Sequence, residues 1–279
     1  MGSQTLIPSV LRFRGSRAPV LRELVPLLPK GIRTFADLMC GGGDVFANSR
    51  AERYIVNDRN PAVAGMYSWL KERQWQGLSD ELEELSDAYS LADPSARIDG
   101  RRRLMEEQRR DGSPLKLLLL SFASEPGFRF GPDGAFNAPP GKMRKPITGE
   151  ALRRLKSFMM RLRLKDPAIR CGDFAEGGWL DSLGEGDFAY ADPPFLADGG
   201  KDGWTEADDR RLMEALSLLS LRGVRFALSQ KVSGRDGTNY AVLEWARRCR
   251  LHLHALGADH SVNGLKCSRT EPELLITNY

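Results

Sequence analysis

A doubly wound α/β sheet interrupted by a mainly helical insert is the fold this 279-residue sequence predicts, and three observations carry that expectation. Between residues 34 and 58 a strand, a glycine run, a helix and a second strand follow one another. Strands and helices alternate again from residue 169 onward, whereas residues 62–165 lack that alternation.

The first element is a short amphipathic helix, Leu21 to Leu28, stopped by Pro29. Thr34 to Cys40 reads as a buried strand running into Gly41-Gly42-Gly43, with a helix from about Asp44. Arg53 to Asn57 is the next strand, with Asp58 at its carboxyl end before the Asn60-Pro61 turn. Polar helices follow over Met66–Arg73, Leu78–Tyr89 and Gly100–Arg110, then the Gly/Pro/Phe-rich stretch GFRFGPDGAFNAPPG. There, Gly127-Phe128-Arg129-Phe130 ahead of Gly131-Pro132-Asp133-Gly134 is a β-hairpin signature. Strands at Ile169–Cys171, Phe188–Ala191, Arg225–Leu228, Leu251–Ala255 and Leu274–Thr277 alternate with helices Thr205–Leu219 and Tyr240–Arg248. The expected division is therefore residues 1–61 and 166–279 in one Rossmann-like domain and 62–165 in an inserted domain.

Composition excludes disorder, fibres and repeats. The longest apolar stretch, Leu117 to Ala123, is too short to span a bilayer, and MGSQTLIPSV carries no signal-peptide pattern, so a cytoplasmic protein without a membrane partner is expected. Cys40, Cys171, Cys249 and Cys267 stand far apart, and His252 and His254 lack further ligands nearby, so neither a disulfide framework nor a metal is expected. Net charge is only +4, but Lys142 to Arg170 holds ten Lys/Arg, among them Lys142, Arg144 and Lys145, against Glu150 and Asp166. So few acids favour phosphate contact over the alternative, a solvated helix face.

The glycine run lets backbone approach a ligand closely and opens a helix N-terminus. A dinucleotide turn, GxGxxG/A, would place a small residue where Phe46 stands, which argues against a nicotinamide oxidoreductase. Asp58 is placed to accept from ribose hydroxyls, or only to cap a turn. Asp192-Pro193-Pro194-Phe195 ends an apolar strand, where ligands of open α/β sheets bind. Its prolines fix φ and remove two donors, leaving carbonyls as acceptors. An amine conjugated into a ring, such as adenine N6, is a poor nucleophile. A carboxylate and a carbonyl that each accept one of its hydrogens would draw it toward tetrahedral geometry, while Phe195 offers a stacking face for a flipped-out base.

With these motifs in this order, the chain resembles the Dam-type adenine-N6 DNA methyltransferases, the α group of the D12 class, over nearly its whole length. Leu11-Arg12-Phe13-Arg14-Gly15-Ser16-Arg17 is similar to the family's N-terminal motif, which implies that Phe13 and Arg17 contact the cofactor. Asp37-Leu38-Met39-Cys40-Gly41-Gly42-Gly43 resembles the acid-Pro-Phe-x-Gly-x-Gly motif. The resemblance puts Asp37, Cys40, Gly41 and Gly43 around S-adenosylmethionine, Asp37 near its sulfonium and amino-acid part, and Asp58 on its ribose. Asp173-Phe174 resembles the pair that holds its adenine, Asp192 to Phe195 the catalytic Asp-Pro-Pro-Tyr, and Glu273 to Tyr279 the closing strand.

The resemblance implies a class I methyltransferase sheet, with the insert as target-recognition domain on double-stranded DNA. Arg129 and Phe136-Asn137-x-Pro139-x-Gly141 resemble the hairpin that enters the major groove, where the Arg129 fork could read a guanine; an arginine on a solvated hairpin face fits the same pattern. Arg17 stands for Lys, Ser16 for Gly, Leu38 for Pro and Phe195 for Tyr. Ser124-Glu125 replaces the Tyr-Asn pair of GATC-reading members, which implies a different or relaxed target. A monomer or weak dimer is expected, and a cognate restriction endonuclease is a partner the resemblance admits. Cytosine-N4, RNA or protein amino-methylation on the same fold, and an inactive DNA-binding relative, are the remaining alternatives.

Overall fold

The computed structural model describes residues 6–11, 15–124, 129–130, 136–137, 146–199, 203–234, 237–257 and 273–279, with the side chains of Arg129 and Asp198 outside the description. Helix α1 spans Leu21–Leu27, strand β1 Ile32–Asp37, α2 Asp44–Asn48 and β2 Ala51–Asp58. Helices α3 (Pro61–Glu72), α4 (Leu78–Ala88), α5 (Arg97–Asp111) and α6 (Pro114–Phe122) follow. A hairpin of β3 (Arg129–Phe130) and β4 (Phe136–Asn137) precedes α7 (Gly149–Lys165). The chain continues through β5 (Ala168–Cys171), a 3-10 turn at Glu176–Ser182, β6 (Phe188–Ala191), a 3-10 turn at Leu196–Asp198 and α8 (Glu206–Leu221). It then runs through β7 (Arg225–Gln230), a small hairpin of β8 (Ser233–Gly234) and β9 (Gly237–Thr238), α9 (Tyr240–Arg248), β10 (His252–Leu256) and β11 (Glu273–Thr277).

Seven strands form one sheet in the order β10-β11-β7-β6-β1-β2-β5. β7, β6, β1, β2 and β5 are mutually parallel, and β11 runs antiparallel to both β7 and β10. This is the predicted Rossmann-like α/β architecture. Neighbouring residues of each strand bury on opposite faces, as period-two geometry requires. Phe35, Phe188, Tyr190, Ala227 and Leu275 join one hydrophobic cluster, and Ala36, Ala189, Ala191, Leu228 and Ile276 the other. The first face is covered by α1, α2, α3 and α7, the second by α8, α9 and Trp179 of the first 3-10 turn.

Element boundaries differ from the sequence reading where a local bond decides them. α3 starts at Pro61 rather than Met66, because the Asn60 side chain accepts from the Ala62 N–H and Pro61 supplies a helix-ready φ. β1 starts two residues earlier than expected and ends at Asp37, where the chain bends toward the glycine turn. The Leu117–Ala123 run forms the second half of α6 and its cap, buried from Leu117 to Leu120 among α3, α4 and α5. The insert thereby continues the core of the first sheet face. α3 and α7, which the sequence division groups with the insert, lie directly on the sheet side: α3 against β2 and β5, α7 against α2 and α3.

Candidate active site

β1 pairs with β2 on one side and β6 on the other, so the direction of winding reverses between β1 and β6, and the crevice beyond their carboxyl ends is where such a sheet binds ligands. Asp37 ends β1, Asp58 ends β2, Asp173 follows β5 and Asp192 follows β6, so the parallel strands bring all four to one edge. Glu273 reaches that edge from the other direction. It begins antiparallel β11, whose next residue, Leu274, is opposite Gln230 at the end of β7.

The glycine turn shapes the floor of the crevice. Gly41 and Gly43 have φ of 46° and 76°, and a Cβ on Gly43 would sit 2.5 Å from the Tyr67 hydroxyl. That hydroxyl donates to the Gly41 carbonyl at 2.9 Å. The Asp58 carboxylate accepts from the Gly41 N–H and the Asn60 N–H, each at 2.9 Å, which fixes its orientation at the strand end. Asn57 donates to the carbonyls of Leu38 and Gly172 at 3.0 Å and so ties the strand ends together. Cys40 is buried, and burial, with Asp58 and Asp37 nearby, pushes its thiol well above the usual range.

Arg17 reaches into this crevice from the N-terminal segment. Its Nε donates to Asp192 Oδ2 at 2.7 Å, its Nη1 donates to Glu273 Oε2, and its guanidinium lies 4.9 Å from the centre of the Phe195 ring. Burial opposes the Arg17 charge, but Asp192 and Glu273 more than offset it and raise its pKa. Burial pushes the Asp192 carboxyl up to about 6, with Arg17 pulling the other way. Asp192 Oδ1 and Asp37 Oδ1 are buried and have no hydrogen-bond partner among the described residues. Burial raises Asp37 well above the carboxylate range, with Asp192 and Asp58 adding to the effect. Crowded acids with unsatisfied oxygens suit a cationic ligand that brings its own donors.

Asp173 caps the Ala175 N–H at 2.9 Å and is paired with Arg211 at 2.7 Å. Its neighbour Phe174 is buried between Trp204 and the Arg211 guanidinium. β3 and β4 place Arg129 opposite Asn137, which is exposed, while Phe130 and Phe136 pack edge to face and anchor the hairpin base in the core. Ser124 is buried, accepting from Arg101 and donating to the Leu120 carbonyl. Phe13, Lys142, Arg144 and Lys145 lie outside the described residues.

The basic stretch does not act as one face. Lys165 folds inward, donating to the Ser49 carbonyl at 2.6 Å and the Tyr54 hydroxyl at 2.8 Å, and burial with Arg161 and Arg50 pulls it down to about 7. Arg154 pairs with Glu150 and Arg170 lies over Trp179, whereas Arg153, Lys156 and Arg163 share the exposed side of α7.

Three contributors escape the sequence reading. Asp44 is buried and accepts from Ser9 N at 2.7 Å, Ser16 Oγ at 2.6 Å and Arg17 N at 2.9 Å, clamping the N-terminal segment to the glycine turn. An acid at the first position of a helix after a glycine run is a readable hint. Tyr67 and the Glu273–Arg17 contact depend on residues 26 and 256 positions away from their partners, and no local pattern signals them.

A switch-point crevice rimmed by strand-end acids, beside an Asp-Pro-Pro-Phe loop, defines a Rossmann-like methyltransferase fold. The family model for the D12 class N6 adenine-specific DNA methyltransferases matches residues 13–252, and the chain belongs to that family. It is 30% identical to Modification methylase StsI of Streptococcus sanguinis, over 98% of this chain and 43% of that protein. It is 28% identical to Type II methyltransferase M.FokI of Planomicrobium okeanokoites, over 99% of this chain and 44% of that protein. Identity to the DNA adenine methylase of Escherichia coli K12 is 23%, over 91% and 89% of the two chains. The chain thus spans less than half the length of the first two relatives.

Proposed function

We propose that the protein transfers a methyl group from S-adenosylmethionine to N6 of an adenine flipped out of double-stranded DNA. The observation that carries this reading is the state of Asp192: one carboxylate oxygen anchored by Arg17, the other buried and unpartnered among the described residues, at the switch point of the sheet. The methyl donor supplies an electrophilic carbon on a sulfonium, and the residues around the crevice fit it. Asp58 accepts from its ribose, Asp37 faces its cationic part, the turn at Gly41, Cys40 and Gly43 admits it closely, and Asp173 with Phe174 borders its adenine.

On the acceptor side, Asp192 Oδ1 takes one N6 hydrogen and the Pro193 carbonyl the other, drawing the lone pair out of conjugation with the ring. Pro194 lacks an N–H and keeps the loop rigid, and Phe195 stacks on the base. Residues 1–61 and 166–279 form the catalytic domain in this reading and 62–165 the target-recognition domain. Within the latter, the hairpin bearing Arg129 and Asn137 reaches the bases, while Lys142, Arg144 and Lys145 hold phosphates. Because two relatives are named as modification methylases or type II methyltransferases, a cognate restriction endonuclease is the partner this reading favours.

Methyl-labelled S-adenosylmethionine and unmethylated duplex DNA test it. The wild type should label DNA, and Asp192→Ala should lose turnover while its cofactor affinity, measured by calorimetry, stays within about threefold. Near wild-type labelling by the variant would remove Asp192 from catalysis.

A further inference from the structure

One guanidinium serves two carboxylates in this site. Only 7% of the Arg17 side chain is exposed, and its Nε and Nη1 divide between Asp192 Oδ2 and Glu273 Oε2. Its backbone N–H is held by Asp44, and its plane lies against Phe195. Arg17 is therefore fixed from α2, from β11 and from the catalytic loop at once, and a side chain so restrained sets the rotation of whatever it binds. It binds Oδ2 of Asp192 and leaves Oδ1 without a partner among the described residues.

We propose that Arg17, braced by Glu273, is a positioning residue for Asp192: it fixes Oδ2 and reserves Oδ1 for the acceptor amine. The amine part rests on the proposed methyl transfer, but the hold on Asp192 does not. A carboxylate free to rotate would offer either oxygen and lose the alignment that draws the amine out of conjugation. Facing Asp192 are Arg17 from the N-terminal segment, Asp44 from α2, Asp37 from β1, Tyr190 from its own strand and Glu273 from β11, so Arg17 is the one cation among those neighbours. Burial, Glu273 and Asp44 push the carboxyl toward its neutral form, and Arg17 opposes them.

The test has two readouts. In the free protein, the Asp192 carboxylate is titrated by carbon-13 NMR, its signal assigned by loss in Asp192→Asn. In parallel, single-turnover methylation of duplex DNA is followed against pH. Arg17→Met should move the Asp192 midpoint up by roughly one pH unit or more. At neutral pH it should slow transfer by about tenfold to a hundredfold, with cofactor affinity changed far less. Arg17→Lys keeps a charge without the fork, so its midpoint should stay close to wild type while transfer still slows. It also decides the matter if Arg17→Met does not fold. An unmoved midpoint in Arg17→Met, or full transfer rate in Arg17→Lys, overturns the proposal. A wild type that labels no DNA would defeat the methyl-transfer reading alone, since the titration reports on Arg17 and Asp192 regardless.

Discussion

At the scale of the residue, the proposed methyl transfer gives Asp192 and Asp58 opposite partners, so substitutions of the two should fail differently. On that reading Asp192 accepts a hydrogen from the amine as its carboxylate, and burial pushes the carboxyl up to about 6, so the transfer step should be full above about pH 7 and fall as pH drops through 6. A rate profile flat from pH 5 to 8 under single-turnover conditions would contradict this. Asp58→Ala should leave the base side untouched and weaken S-adenosylmethionine binding by about 1.5 to 3 kcal/mol, since ribose hydroxyls lose a charged acceptor. Unchanged calorimetric affinity would take Asp58 out of the site. The strand-end placement of both acids was legible in the sequence, because an acid at a strand end before a proline turn is a local pattern. Arg17's engagement with Asp192 was not, since Arg17 lies 175 positions away from it and only the fold brings them together.

At the scale of the element, β1 and β6 hold the crevice, and their far ends are locked by one carboxylate. Asp187, just before β6, accepts from Arg33 Nε and Nη2 at 2.9 and 2.8 Å, from the Thr34 N–H at 3.0 Å and from the Gly184 N–H at 3.0 Å. Burial works against its charge, but these donors win and bring it down to about 2. A folded pKa below the unfolded one stabilises above the unfolded value, so this contribution is full near neutrality and is lost as pH falls through about 4 toward 2. Asp187→Ala should lower stability by about 2 kcal/mol or more at pH 7, with a smaller deficit at pH 3, read by urea unfolding. Equal deficits at both pH values would argue against the lock. Strands β6 and β7 and helix α9 follow the sequence reading closely, because each has a sharp polar or proline boundary. α7 was visible only as a run of charge, and charge counting cannot tell that Lys165 curls onto Tyr54 while Arg153 and Lys156 lie on the exposed side, Lys156 over the Trp75 ring.

At the scale of the whole molecule, the sheet order was beyond the sequence. Alternation announces a doubly wound fold, but the placement of β5 beside β2 and of β11 antiparallel to β7 depends on pairings across the insert and across the chain. The exposed side of α7 is where the basic stretch can meet a phosphate backbone. Arg153→Ala with Lys156→Ala should reduce the slope of log K against log salt by about 1.8 and weaken all sequences alike, whereas an unaltered slope would make that side a solvated surface. On the proposed reading target choice belongs to the insert; Ser124, which the family resemblance sets against a Tyr of GATC-reading members, is buried, so methylation should not be confined to GATC. The central claim, methyl transfer to adenine N6 in DNA, is decided by incubating the protein with S-adenosylmethionine and methylation-free genomic DNA, then identifying and mapping the modified base. We expect N6-methyladenine at a short motif other than strict GATC, or at relaxed sites; DNA left unmodified, or methylated on cytosine, would contradict it.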